Sequence, residues 1–469
     1  MKKLANMPVQ IKELEITNFK NVENGKIVFI KKMEKSLNEN VMAIYGQNGS
    51  GKTTFVNALE LLKSYIAFEP LVIPNVNRLE DFYDYFTINK KSSKLKTKFL
   101  VNIERKIYTV NYTLEFEVKN VPEKSFNIKK EKISYLINDI DEASFEHDLK
   151  GGYKYSDNLQ ENFAKINNTM IATDKISLQT RQSYLFNPFL INEYIKANTN
   201  SILGKILNNL QIFARFNMFV ITNKHFGMIN LQWNLPFMFR LSKNKGIIND
   251  KNEFIGQEEV TSGGQIIDLK KPQIINMRFY EDLKNMFSVI NDFLTRIIPN
   301  TKIDIIPTPC VLRNGENGMS IELVTIRDGN RIPMRNESTG VLKLISIIQT
   351  LISYCIYDDI FLAIDELDAG IFEHLLGKLL ELLSREGKGQ LLFTSHNLRP
   401  LEVLDKNCLY FTTTNPLNRY IKLTKIKTNN NVRDFYLRAL ELGGQKEEIY
   451  NDDDLSAISI LLRRLEKNE

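Results

Sequence analysis

Apolar and polar residues partly alternate along residues 11–30, and a second apolar run, Val41-Met-Ala-Ile-Tyr45, stops abruptly at Gly46. Alternation with a period of two marks a strand with one buried face, so both stretches are predicted to be strands. After a glycine-rich turn, Phe55, Val56, Leu59, Leu62 and Ile66 recur at helical spacing over residues 53–66. One face of that helix should lie on the sheet. The chain therefore opens as strand, loop, helix.

Residues 99–118 and 126–137 are rich in β-branched and aromatic residues in near alternation, which predicts a small antiparallel β lobe. Just before it, Lys90, Lys91, Lys94, Lys96 and Lys98 crowd a serine-containing segment. Such a charge run reads as a solvated loop, with contact to a phosphate backbone as the sharper alternative. From 142 to 300 the pattern is irregular and more helical, clearest at 189–210 and 279–298, and is taken as an insertion. No heptad repeat there is long enough for a coiled-coil arm. Strands return at 302–306 and 320–326, followed by a helix at 341–357, a strand at 360–364, a helix at 371–385 and a strand at 389–394. A β/α core resumes. The tail 427–454 is polar and loop-rich. The acids Asp452, Asp453 and Asp454 precede a helical run over 455–465, where acids favour a helix start more than a metal. The expected division is an N-terminal α/β part with the β lobe at 1–141, a mainly helical insertion at 142–300, a C-terminal β/α part at 301–428 and a helical tail at 429–469.

With 43% hydrophobic residues in 469, the chain can bury a core large enough for more than one domain. A net charge of +6 permits nucleic acid as a partner without requiring it. Cys310, Cys355 and Cys408 are far apart and lack CxxC spacing, which argues against a disulfide framework or zinc site and for a reducing compartment. The basic residues 1–9 precede no apolar run, so no secretory signal is expected. The most apolar stretch, 341–357, is interrupted by Lys343, Ser346, Gln349 and Ser353. It reads as a buried core helix, not a membrane span. A cytoplasmic protein without membrane contact is the expectation.

Gly46-Gln47-Asn48-Gly49-Ser50-Gly51-Lys52-Thr53 matches the phosphate-loop pattern at every fixed position and lies between a predicted strand and a predicted helix, with Thr54 next. Its glycines let backbone N–H groups turn inwards round phosphates. Lys52 is placed to reach the β- and γ-phosphates of ATP, and Thr53 to give a hydroxyl to Mg²⁺. Phe361-Leu-Ala-Ile-Asp365-Glu366 is an apolar strand ending in two carboxylates. Asp365 is expected to hold Mg²⁺, directly or through water, and Glu366 to orient or deprotonate the attacking water. Asp368 follows two residues on. The strand Leu391-Leu-Phe-Thr-Ser395 ends at His396, which is placed to sense a γ-phosphate. His147, His225 and His374 lack such a setting and read as surface or packing residues.

The order of phosphate loop, large insertion, Glu337-Ser338-Thr339-Gly340 before a helix, Asp365-Glu366, Asp368 and His396 resembles the ATP-binding-cassette ATPases. Within that class it looks most like chromosome-maintenance heads and overcoming-lysogenization-defect ATPases, whose first strand Leu14-Glu-Ile-Thr-Asn-Phe19-Lys also resembles. The resemblance implies an α/β P-loop NTPase fold of the cassette and chromosome-maintenance-head type. It also implies a homodimer, or higher homo-oligomer, closed through its ATP sites, with Ser338 and Gly340 of one copy facing the γ-phosphate on Lys52 of the other. Three departures matter. The signature is short, the family's magnesium-loop glutamine is not evident, with Gln179 and Gln182 as weak candidates, and too little chain follows Glu366 for the metal-dependent nuclease domain of the overcoming-lysogenization-defect enzymes.

The resemblance further implies an ATP-dependent switch or sensor in bacterial phage defence, with a separate effector protein. Two other functions stay open at this point. One is a DNA-repair or recombination ATPase that uses Lys90–Lys98, Lys129, Lys130 and Lys132 as a basic track. The other is a scaffold gated by nucleotide binding without hydrolysis, against which Glu366 argues.

Overall fold

The computed structural model describes residues 9–30, 40–69, 72–73, 76–119, 125–138, 140–230, 266–423, 432–442, 445–449 and 463–464. Two sheets organise the chain. In the first, seven antiparallel strands run in the order Gly152–Tyr155, Ile140–Asp148, Ser125–Ile137, Lys106–Lys119, Ser92–Ile103, Val9–Phe19, Val22–Val28. In the second, six strands run Met218–Ile221, Phe361–Ile364, Gln390–Ser395, Val41–Tyr45, Leu409–Thr412, Tyr420–Ile421, all parallel except the last.

The helix Lys52–Ala67 explains why both sheets can be buried against one element. Only Thr53 and Glu60 of its residues up to Ala67 escape full burial. Leu59, Leu62 and Ile66 join Leu14, Ile16 and Phe99 of the antiparallel sheet and Met42, Ile44 and Phe361 of the parallel one in a single core. Odd and even positions of the parallel strands then part company. Val41, Ala43 and Tyr45 face the opposite side and pack with Leu344, Ile347 and Leu351 of the helix Thr339–Ile356. Strands buried on both faces read as unbroken apolar runs, which is why 41–45 and 361–364 show no alternation. Gln390 stitches the sheets together: its amide accepts from Ile11 N at 3.0 Å and donates to Ile11 O at 2.8 Å.

A third core lies beyond. The helix Met277–Ile297 packs on an antiparallel sheet of Gln273–Asn276, Asn317–Arg327, Thr301–Val311 and Asn330–Pro333. Ile345, Ile348 and Ile352 of Thr339–Ile356 belong to this core while Leu344, Ile347 and Leu351 belong to the second. That helix is long and apolar enough to cross a membrane, yet it is wedged between two cores, as its interrupting polar residues predicted.

Several expectations change. From Ser92 on, the lysine-rich segment is not a loop: Ser92–Ile103, with Lys94, Lys96 and Lys98, is a strand whose apolar face enters the first core, and Lys90 and Lys91 precede it. The lobe extends past 141 through Ile140–Asp148 and Gly152–Tyr155. The segment 142–300 is not wholly an insertion, because Met218–Ile221 is an edge strand of the parallel sheet. The helix expected at 189–210 is two, Pro188–Ala197 and Ile202–Ile212, the second capped by Ser201. The strands at 302–306 and 320–326 build the third core's sheet instead of resuming the parallel one. Within the tail, Val432–Leu442 is helical with Tyr436 in the second core, and residues 452–454 lie outside the described residues. His147 is a packing residue, stacked on Tyr184 with ring centroids 4.2 Å apart.

Candidate active site

Four parallel strands deliver their carboxyl ends to one edge: Tyr45 into the phosphate loop, Ile364 into Asp365-Glu366, Ser395 into His396, and Ile221 into Thr222-Asn223. Open parallel sheets place ligands at this edge. Gly51 is the N-cap of Lys52–Ala67 at φ 101°, a conformation that favours glycine. The helix thereby starts with its positive end at the loop.

The loop is braced from several sides. Tyr420 Oη donates to Gly51 O at 2.7 Å, and Thr412 Oγ1 donates to Ser50 Oγ at 2.7 Å. Asn21, in the turn between the first two strands, donates its amide to Gly49 O and accepts from Thr54 Oγ1 at 3.2 Å. Arg419 donates to Asn21 O at 2.6 Å. Gly46 is so close to Thr412 that a Cβ would lie 1.6 Å from its Oγ1. Lys52 is buried and donates to Gly46 O at 2.7 Å and Gln47 O at 2.9 Å. Burial pushes it down to about 8, against the pull of Asp365, Glu366 and Asp368. Gln47, Asn48 and Gly49 form the open rim.

The carboxylates stand opposite. Thr394 Oγ1 donates to Asp365 Oδ1 at 2.6 Å and accepts from Glu366 N at 2.7 Å, while Thr53 Oγ1 donates to Asp365 Oδ1 at 3.3 Å. Burial raises Asp365 above the ordinary carboxylate range, and the two threonine hydroxyls oppose the rise. Thr53 and Asp365 offer two hard oxygens at close range, a set that fits Mg²⁺ completed by phosphate and water. Among the described residues no cluster of three or more His, Cys, Asp or Glu side chains forms a dedicated metal cage. Glu366 sits at φ 49°, a left-handed conformation costly for a non-glycine residue and concentrated at functional sites. Asn223 Nδ2 donates to Glu366 Oε2 at 3.1 Å.

Asp368 Oδ2 accepts the backbone N–H of His396 at 3.0 Å and of Asn397 at 2.9 Å, so the acid and the histidine expected from sequence meet in one turn. Asp368 Oδ1 is buried and has no hydrogen-bond partner among the described residues. Burial, then the nearby Lys52, lowers His396, which favours the neutral ring. Ser338 is exposed and caps Thr339–Ile356, its hydroxyl accepting Val341 N at 3.3 Å. Gly340 has a packing reason of its own: a Cβ there would lie 2.0 Å from Gly370 O.

The structure thus brings the phosphate loop, Asp365, Glu366, Asp368 and His396 together. Gln182 does not join them. Its amide donates to Glu69 O, past the far end of a 16-residue helix about 24 Å long, and Gln179 is exposed. Sequence reasoning missed Asn223, Thr394, Asn21 and the Arg419-Tyr420 brace. For Asn223 the signal was available: an apolar run, 218–221, ends in Thr-Asn as the runs before Glu366 and His396 end in polar residues.

A family described as "AAA domain, putative AbiEii toxin, Type IV TA system" matches residues 41–402. A search of curated proteins gives no match. Similar solved structures include the Smc head domain with a coiled coil and joint from Pyrococcus yayanosii, at 11% identity over 92% of this chain and 99% of that one, TM-score 0.42. The SMC head domain from Thermotoga maritima is 12% identical over 89% and 100%, TM-score 0.34. The recombination mediator RecF with ATP is 13% identical over 89% and 99%, TM-score 0.35. The family match covers more than half of the chain and encloses the phosphate loop, the carboxylate pair and His396, so the chain belongs to this AAA-domain family and has a P-loop NTPase fold.

Proposed function

We propose that the protein hydrolyses ATP with Mg²⁺ and uses closure of two copies around the nucleotide as a switch. The observation that carries this reading is Glu366, held at its carboxylate by Asn223 and at its N–H by Thr394, beside the Thr53 and Asp365 oxygens. Lys52 and the N–H groups of the loop bind and orient the phosphates. Bound Mg²⁺ would neutralise charge on the β- and γ-oxygens. Glu366 accepts or orients the proton of the attacking water, and His396 offers a neutral ring to the γ-phosphate. Ser338, exposed at a positive helix end, suits a phosphate oxygen presented by a second copy.

A switch needs a listener. The family description, with its type IV toxin–antitoxin system, supports a partner on a separate chain, and the cytoplasmic role in phage defence is carried by the resemblance to overcoming-lysogenization-defect ATPases. The DNA-track alternative is weakened by pairing. Lys90, Lys94, Lys96, Lys98, Lys129, Lys130 and Lys132 each lie within 3.9 Å of a glutamate, from Glu13, Glu15, Glu23, Glu115 and Glu146. The test is ATP turnover and native mass of wild type and Glu366→Gln, with and without ATP and Mg²⁺. Wild type should turn over, and the variant should be inactive yet accumulate as an ATP-bound dimer. A variant as fast as wild type removes Glu366 from its role and the closure mechanism with it.

A further inference from the structure

Lys343 lies on the helix Thr339–Ile356, one turn beyond Ser338 and Gly340, with 2% of its surface exposed. Lysine is almost never buried so deeply unless its ammonium is satisfied. Here it donates to Glu366 O and to Ala369 O, the latter at 3.1 Å. The ring of Phe226 lies 4.7 Å from the same ammonium. Burial pushes Lys343 down to about 8, against Asp368, Glu366 and Asp365. Gly227, next to Phe226, donates its N–H to Ser346 Oγ on the same helix at 2.9 Å. One ammonium therefore joins three elements: the helix that starts at Ser338, the turn 365–370, and the loop 222–227 that carries Asn223.

Glu366 depends on what surrounds it. Its N–H is held by Thr394, its carboxylate by Asn223 and its carbonyl by Lys343, in a left-handed conformation. The packing of Gly340 on Gly370 adds a steric link, since the helix start cannot shift without moving the turn. None of these contacts is made with a phosphate-loop residue of the same chain.

We infer that Lys343 is a positioning residue that couples the seating of the helix start at Ser338 and Gly340 to the placement of Glu366 in the same chain. This rests on the closure of two copies proposed above. Engagement of one copy's helix start by its partner's nucleotide then sets that copy's own carboxylate, and the two ATP sites act in concert.

The experiment compares wild type, Lys343→Met and Lys343→Arg in ATP turnover, ATP affinity, melting temperature and native mass, with Glu366→Gln/Lys343→Met as the trapped form. The expected result is a kcat lowered by about 10- to 100-fold in Lys343→Met, the scale of a misplaced catalytic group, at ATP affinity within about 3-fold of wild type. The trapped form should still dimerise with ATP, and cooperativity in ATP should fall towards none. Lys343→Arg, which keeps the charge but not the ammonium's shape, should lie in between. A wild-type kcat and cooperativity in Lys343→Met overturn the inference while leaving closure intact. Parallel loss of affinity, melting temperature and kcat overturns it in favour of a purely structural lysine. Should Lys343→Met not fold, Lys343→Arg decides, and a wild-type kcat there overturns the inference. A wild type that turns over ATP only as a monomer removes the closure reading and the coupling together.

Discussion

The two sides of the candidate site are built differently. The phosphate loop is held by Asn21, Thr412 and Tyr420, which come from three separate segments, and its helix is buried along nearly its whole length. The signature side presents Ser338 in the open, bonded among the described residues to its own helix, and its attachments run inwards through Gly340 and Lys343 to the turn that carries Glu366. One side is a fixed socket. The other is, on the closure proposed above, a contact surface tied through Gly340 and Lys343 to the turn that carries Glu366. Binding and hydrolysis should therefore separate under mutation, according to which side is touched.

The largest effect belongs to the carboxylates. Asp365→Asn, or removal of Mg²⁺ with a chelator, should lower turnover by about 100-fold or more, the range of losing one catalytic carboxylate, measured as phosphate release. Lys52→Ala comes next: losing charge-assisted bonds worth about 1.5–3 kcal/mol should weaken ATP binding by about 10- to 100-fold in equilibrium titration. Gly340→Ala meets the backbone oxygen of Gly370 and should cost about 1–3 kcal/mol in denaturant unfolding. It should reduce turnover and ATP-dependent association while sparing ATP affinity. If Gly340→Ala and Lys52→Ala weaken ATP binding equally, the division between the sides is wrong. Ser338→Ala removes a helix cap at a cost of about 1 kcal/mol, and its sharper effect should be on dimer mass with ATP. The smallest effect is at Lys96→Ala, whose exposed pair with Glu15 is worth about 0.5 kcal/mol or less, with no change in duplex-DNA retention as salt is varied. A clear loss of DNA binding there would revive the basic-track reading.

What was legible in the sequence follows the same division. The phosphate loop, Asp365-Glu366 and His396 each end an apolar strand, so local pattern located them. Asn223 follows the same rule, but a four-residue apolar run after two helices does not distinguish strand from helix on its own. The lysines of Ser92–Ile103 looked solvated because their glutamate partners sit on neighbouring strands, and cross-strand register is not written in either segment alone. The brace from Tyr420 was invisible for a related reason, since it joins residues 369 positions apart, and the brace from Asn21 depends on how a strand turn packs against a loop 28 positions on. Gln182 failed as a candidate because its place depends on which end of the helix Lys52–Ala67 the chain returns to.

The brace at Tyr420 also sets a timetable. The phosphate loop leaves the ribosome early, whereas its props at Thr412, Arg419 and Tyr420, and the strand Leu409–Thr412 beside it, emerge some hundreds of residues later. Such distant pairings fold slowly and only once the late segments arrive. A nascent or truncated chain lacking them holds a phosphate-loop sequence without its socket, so competence to grip ATP doubles as a check that the polypeptide has been made through to its closing strands.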